Sequence, residues 1–121
     1  MRQNGKLHLA SQLELEARDD LTYSAWGKKL TLEQFRERER VLRSTNYARK
    51  AMKTWFWLAP DAQVLSSCET FELPSVLNGV AGSSYGIASV FTEEKHRGNG
   101  YAQAMLDALC SHLNFAQGIH L

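Results

Sequence analysis

The chain has 121 residues, 44% of them hydrophobic, enough for one domain around one core and too few for a second. Its 14 Lys and Arg against 13 Asp and Glu leave a formal charge of +1, without the basic excess of a nucleic-acid binder, so any bound anion has to be gripped locally. Two cysteines, a start without an apolar leader, no apolar run of bilayer length and four histidines without paired spacing predict an intracellular, cytoplasmic chain with reduced thiols, no membrane partner and no metal site.

In chain order, Leu7 and Leu9 alternate with polar neighbours and predict a strand over 6–10. Ser11-x-x-Glu14 is a capping box, so a helix follows, with Leu13 and Ala17 on its apolar side, Leu21 a turn further and Gly27 as its stop or bend. Thr31-x-x-Gln34 opens a second helix whose apolar side is Leu32, Phe35, Val41 and Leu42. Its "FRERERVLR" run interleaves Glu37 and Glu39 with Arg36, Arg38 and Arg40, the pattern of a solvated face that compensates its own charge.

"TWFWLAP" reads as a strand ended by Pro60, with Trp55 and Trp57 filling the core from one face and Phe56 opposite. A tight "DAQ" connection leads to "VLSSCETFEL", where Val64, Ser66, Cys68 and Thr70 share one face and Leu65, Ser67, Glu69 and Phe71 the other. Both faces mix polar with apolar side chains, which suits a strand that carries a site. Residues 72–83 hold Pro74, Gly79 and Gly82 and are expected to form a loop or an irregular hairpin connection. "SYGIASVFT" resumes extended structure, and Ala102, Met105, Leu106, Leu109 and Leu113 then recur at helical spacing. Together these elements predict an α/β, α+β-like domain: a mostly antiparallel sheet with flanking helices.

Between the last strand and the last helix lies "EEKHRGNGYAQAML". Gly98 and Gly100 let the backbone turn tightly and approach a ligand, while the unpaired amides of the next helix offer a phosphate or pyrophosphate its hydrogen bonds. The same three residues, Gly98-Asn99-Gly100, would also serve as a plain helix cap. Neither the dinucleotide G-x-G-x-x-G spacing nor a P-loop Gly-Lys-Ser/Thr is present, which points away from hydride and nucleoside-triphosphate chemistry.

"SVFTEEKHRGNGYAQAMLDAL" resembles the acetyl-coenzyme A motif of the GNAT N-acetyltransferase superfamily, with Arg97-Gly98-Asn99-Gly100-Tyr101-Ala102 as its core. The resemblance implies acetyl-coenzyme A as cofactor. It places the pyrophosphate on the loop from Arg97 through Gly98, Asn99, Gly100 and Tyr101 to Ala102, and the pantetheine arm on the backbone of Phe91 and Thr92. The implied activity is direct transfer of acetyl to the amine of a small acceptor. "AWGKKLTLEQFRERERVL", "TWFWLAP" and "VLSSCETF" resemble fungal GNAT proteins related to the yeast lysine N6-acetyltransferase, which makes free lysine the implied acceptor.

In that superfamily another strand follows the coenzyme A helix, whereas only "NFAQGIHL" remains here after Leu113. The resemblance therefore leads to the expectation of a single, incomplete domain over 1–121, with N-terminal strands and helices in 6–71 and the cofactor-binding strand-turn-helix in 84–113. An open sheet edge would favour self-association or a covering partner. The alternative is a non-catalytic or partner-completed fragment that binds coenzyme A or is only structural, so whether the chain alone is an enzyme stays open.

Acetyl transfer to an ammonium needs a proton acceptor, and the candidate is Glu69, central in its strand with Ser67 on the same face; a cross-strand pair is the competing role. Cys68 reads as a packing thiol, and Cys110 has no reason to be reactive. Lys95, His96 and Arg97 could support anionic groups or simply face solvent. Trp26 is placed to wall an acceptor site.

Overall fold

The computed structural model describes residues 5–117. In chain order it contains β1 (Lys6–Leu9), α1 (Gln12–Trp26), α2 (Leu32–Arg43), α3 (Asn46–Ala51), β2 (Met52–Leu58), β3 (Val64–Leu77), β4 (Val80–Phe91), a 3₁₀ turn (Glu94–His96) and α4 (Tyr101–Gln117). The four strands form one sheet in the order β1-β2-β3-β4, every neighbour antiparallel. This is the α/β arrangement that the sequence predicts. Of the closing "NFAQGIHL", the last four residues lie outside the described residues.

Both predicted capping boxes form. Glu14 N–H donates to Ser11 Oγ and Ser11 N–H to Glu14 Oε1, at 3.3 and 2.7 Å, and the Thr31–Gln34 box repeats the reciprocal pair. Gly27 ends α1, its N–H bonded to Tyr23 C=O at 2.8 Å. One short helix escapes the sequence reading: α3, capped by Thr45 Oγ1 on Ala48 N–H, is six residues long and has no apolar repeat to announce it.

The inward face of α1 differs from expectation. Leu13 is 80% exposed and Ala17 is also exposed, while the buried residues are Arg18, Asp19 and Thr22. The helix docks through polar contacts that satisfy buried groups of the sheet and of α2, so hydrophobic periodicity picks the wrong side. In α2, Phe35 is fully buried, but Val41 and Leu42 face solvent.

Residues 72–83 take the hairpin alternative of the sequence reading rather than the loop, and the hairpin is regular. β3 runs on to Leu77 and returns as β4 through Asn78 and Gly79, whose φ angles of 51° and 79° are those of a type I′ hairpin turn. Pro74 is tolerated because β3 pairs with β2 only as far as Phe71↔Met52, and beyond that point it has β4 on one side alone.

One face of the sheet carries the main core, in which Trp55, Trp57, Leu65 and Cys68 pack against Met105, Leu109 and Leu113 of α4. Burying each such aliphatic side chain contributes about 1.5–3 kcal/mol, which fixes α4, and hence the turn preceding it, against the sheet. Trp55 keeps its indole N–H satisfied by Thr70 Oγ1 at 2.9 Å. Strand alternation turns Ser67, Glu69 and Phe71 to the opposite face, under α1 and α3. No helix of the described residues is long and apolar enough to cross a membrane, and these residues hold no His, Cys, Asp or Glu cluster able to take a metal.

Candidate active site

β3 and β4 stay in register from their hairpin to Glu69↔Ala88, then shift by one residue before the final pair Ser67↔Phe91. The extra residue is accommodated where Ser89 takes a φ of 56°, a left-handed conformation uncommon for a residue with a side chain. Past Phe91 the strands part. A narrow crevice opens there, lined by Leu21, Val64, Leu65, Ser66, Ser67, Phe91 and Glu93.

From the crevice the chain crosses the 3₁₀ turn to Arg97 and the two glycines. Gly98 has φ 83° and Gly100 φ 75°, so both occupy the region that favours glycine. The first bond of the following helix runs from Ala104 N–H to Gly100 C=O, which leaves the amides of Tyr101, Ala102 and Gln103 ahead of the helical ladder. A Cβ built on Gly98 would meet nothing within 4 Å, so the space beside that residue is open.

The side chains of the motif brace this turn. Arg97 Nε donates to Thr92 C=O at 2.9 Å, tying the end of β4 to the glycines, and Asn99 Nδ2 donates to His96 C=O at 3.0 Å. Beside the turn lies a cavity of about 370 Å³, bordered by Pro60, Gln63, Leu65, His96 and Tyr101. His96 stands edge-on to Tyr101, and its Nε2 is buried with no hydrogen-bond partner among the described residues.

Glu69 and Ser67 share a face, as their spacing predicts, and both meet Arg18. Arg18 Nε donates to Ser67 Oγ at 2.7 Å, Nη2 donates to Ser89 C=O at 2.6 Å, and Nη1 lies 3.6 Å from Glu69 Oε2. Burial pulls the guanidinium below its ordinary value, and Glu69 opposes that most strongly. Sequence reasoning misses Arg18, because the Leu13–Ala17–Leu21 stripe offers a more attractive inner face. The available signal is indirect: Ser67 and Glu69, polar and inward on a central strand, require a partner.

Trp26 meets Phe91 edge-on at 5.5 Å and lies 5.6 Å from the Arg18 guanidinium, so the end of α1 closes over the end of β4. Cys68 is fully buried on the other face, where burial pushes its thiol up to about 11. It is a packing residue without thiolate character.

No family model matches the chain. A lysine acetyltransferase of Yarrowia lipolytica is 32% identical over 108 residues, 83% of this chain and 28% of that protein. Among solved structures, a GNAT family acetyltransferase of Staphylococcus aureus superposes with a TM-score of 0.68 at 8% identity, covering 97% of this chain and 83% of that one. The chain has the fold of the GNAT acetyltransferases. A conserved protein of Enterococcus faecalis superposes with a TM-score of 0.67 at 20% identity over 93% of this chain and 26% of its own. The chain thus spans under a third of the length of both the Yarrowia and the Enterococcus proteins. Within the GNAT fold, the turn at Gly98–Gly100 and the parting of β4 from β3 occupy one contiguous end of the sheet.

Proposed function

We propose that this chain forms the cofactor-binding part of an acetyl-coenzyme A-dependent N-acetyltransferase acting on the amine of a small molecule. The Yarrowia relative is named a lysine acetyltransferase, which supports lysine as the acceptor, and free lysine is the form proposed here. The observation that carries the reading is the pair of left-handed glycines, Gly98 and Gly100, presenting the unladdered amides of α4 beside the parted end of β4. The residues fit the group. A diphosphate suits amides at the positive end of a helix, the space at Gly98 is open, and the unpartnered His96 Nε2 adds a polar atom beside the loop.

In this reading the backbone from Gly98 to Ala102 receives the pyrophosphate, braced by the Arg97 and Asn99 side chains. The backbone of Phe91 and Thr92 orients the pantetheine arm as an added strand would. Acetyl-coenzyme A supplies the activated thioester. Glu69 accepts the proton that the acceptor's ammonium has to lose, directly or through one water, and Arg18 keeps its carboxylate in place. Trp26 bounds the acceptor side. The free thiols Cys68 and Cys110 fit a cytoplasmic enzyme.

β4 is the edge of the described sheet, with Ile87 and Val90 each about 40% exposed. That edge supports a second reading of the same site, in which a strand from elsewhere in the protein or from a partner completes the cleft.

Calorimetric titration with acetyl-coenzyme A, paired with thiol release in the presence of free lysine, tests the proposal. Binding that is lost when Gly98 or Gly100 becomes Val, with the circular dichroism of the fold retained, is the expected result. Absence of binding at millimolar ligand overturns it. Binding without thiol release across amino acids and amines favours the second reading.

A further inference from the structure

Arg18 does more than fill space under the sheet. Its guanidinium bridges β3 and β4 at the level of the register shift, bonded to Ser67 on one strand and to the carbonyl of Ser89 on the other. Ser89 is the left-handed residue of the bulge, a conformation that a residue with a side chain takes only at an energetic cost. A charge-assisted hydrogen bond to its carbonyl is among the stronger kinds, so it offsets that cost and holds the bulge. Were the bulge to relax into regular pairing, β4 would slip by one residue past Ser67. Every amide and side chain from Val90 to Thr92 would then exchange faces.

The geometry points to Arg18 as a positioning residue for the reaction: bound to Ser67 and Ser89, it keeps the β4 bulge in place and so sets the direction in which Phe91 and Thr92 present their backbone to the acyl-carrying arm of the cofactor. This inference rests on the coenzyme A reading above. Three features support it independently. Arg18 is only 6% exposed, so its cation is placed there by the fold rather than by solvent. Its planar fork supplies donors to two strands at once, which a lysine could not reproduce. Trp26 stacks near the guanidinium and touches Phe91 itself, so the arginine, the bulge and the strand end form one packed unit. Glu69, beside the same guanidinium, ties the proposed proton acceptor into that unit.

The test compares two ligands on the purified protein: acetyl-coenzyme A, and the nucleotide diphosphate half of coenzyme A, which lacks the pantetheine arm. In R18K, affinity for the nucleotide half should match wild type, because Gly98–Ala102 is untouched, while affinity for acetyl-coenzyme A should fall about tenfold, the loss of one or two backbone hydrogen bonds. Equal affinities of R18K and wild type for acetyl-coenzyme A overturn the inference. So does parallel loss of both ligands, which would make Arg18 a folding residue only. If R18K does not fold, S67A removes one of the two anchors while leaving the arginine, and the same selective loss is expected at roughly threefold. If wild type binds neither ligand, the coenzyme A reading fails by itself. Amide hydrogen exchange at Ser89–Phe91 then decides the role of Arg18, with protection altered in R18K upholding the hold on the bulge and unaltered protection refuting it.

Discussion

Asp19 receives both terminal nitrogens of Arg43, Nη1 on Oδ1 and Nη2 on Oδ2, each at 2.8 Å. Asp19 follows Arg18 directly, so consecutive residues of α1 point charged groups in two directions, one into the sheet and one onto the end of α2. The hydrogen bonds that Arg43 donates to Asp19, more than the charge of Asp19, raise the guanidinium above its ordinary value. A two-point ion pair of this kind fixes the rotation of α1 about its own axis, and that rotation aims Arg18.

Removing one partner should therefore leave a buried charge unpaired. R43A is expected to destabilise the fold by about 3 kcal/mol, and D19N by a comparable amount, in urea unfolding. R43K should recover part of the loss, since it restores the charge without the fork. A change below about 0.5 kcal/mol in R43A would mean that α1 is oriented by packing alone.

Gly27 owes its place to space rather than to its dihedral angles. Its φ of −118° is open to any residue, but an added Cβ would lie 2.6 Å from both Tyr23 Cδ1 and Phe35 Cδ1. These two rings pack with centroids 5.5 Å apart where α1 turns into α2. G27A should destabilise the protein by about 1–3 kcal/mol, read as a lowered Tm, with the circular dichroism of the folded form unchanged.

Several of these features are legible in the sequence, and the failures have identifiable causes. The capping boxes at Ser11 and Thr31, the Trp55/Trp57 face and the α4 stripe of Met105, Leu109 and Leu113 form as local patterns require. The 72–83 hairpin is legible as one of two alternatives, and Asn78-Gly79, the dipeptide suited to two positive φ angles, is the signal that decides for it over the loop suggested by Pro74 and the glycines. The inner face of α1 is illegible because it is polar: Arg18 and Asp19 find their partners 49 and 24 residues away, in positions that only the folded chain brings near. The glycine turn is visible as a motif, yet the bulge at Ser89 that orients the strand before it has no glycine or proline to mark it.

The two thiols should respond differently to alkylation. Cys68 has no solvent exposure and its thiol is pushed up to about 11 by burial, while Cys110 lies exposed on α4. Iodoacetamide at neutral pH should therefore label one cysteine per folded chain, mapped to Cys110 by peptide mass, and both after unfolding in urea. Labelling of Cys68 at a comparable rate in the folded protein would show that the core opens beneath α4. C68S should cost stability through the buried hydroxyl, without selective loss of cofactor affinity.

Glu14 couples the start of α1 to acid. Its carboxyl is held below the ordinary value of 4.5, first by the Ser11 N–H and then by the His8 ring, whose Nε2 lies 2.8 and 3.0 Å from the two carboxylate oxygens. Because the folded value is lower than the unfolded one, the carboxylate contributes its full stabilisation above the ordinary value and loses it as the pH falls through the lowered one. E14Q keeps an acceptor oxygen for the Ser11 N–H but has no proton to gain. Its stability at neutral pH should drop by less than about 1 kcal/mol, since the pair is half exposed. Between about pH 5 and pH 3 its midpoint in urea should decline less steeply than that of wild type, so the two curves converge toward acid. Parallel decline of both proteins would place the acid sensitivity elsewhere, with the lowered Asp20 carboxyl, held by Arg36, as the next group to replace.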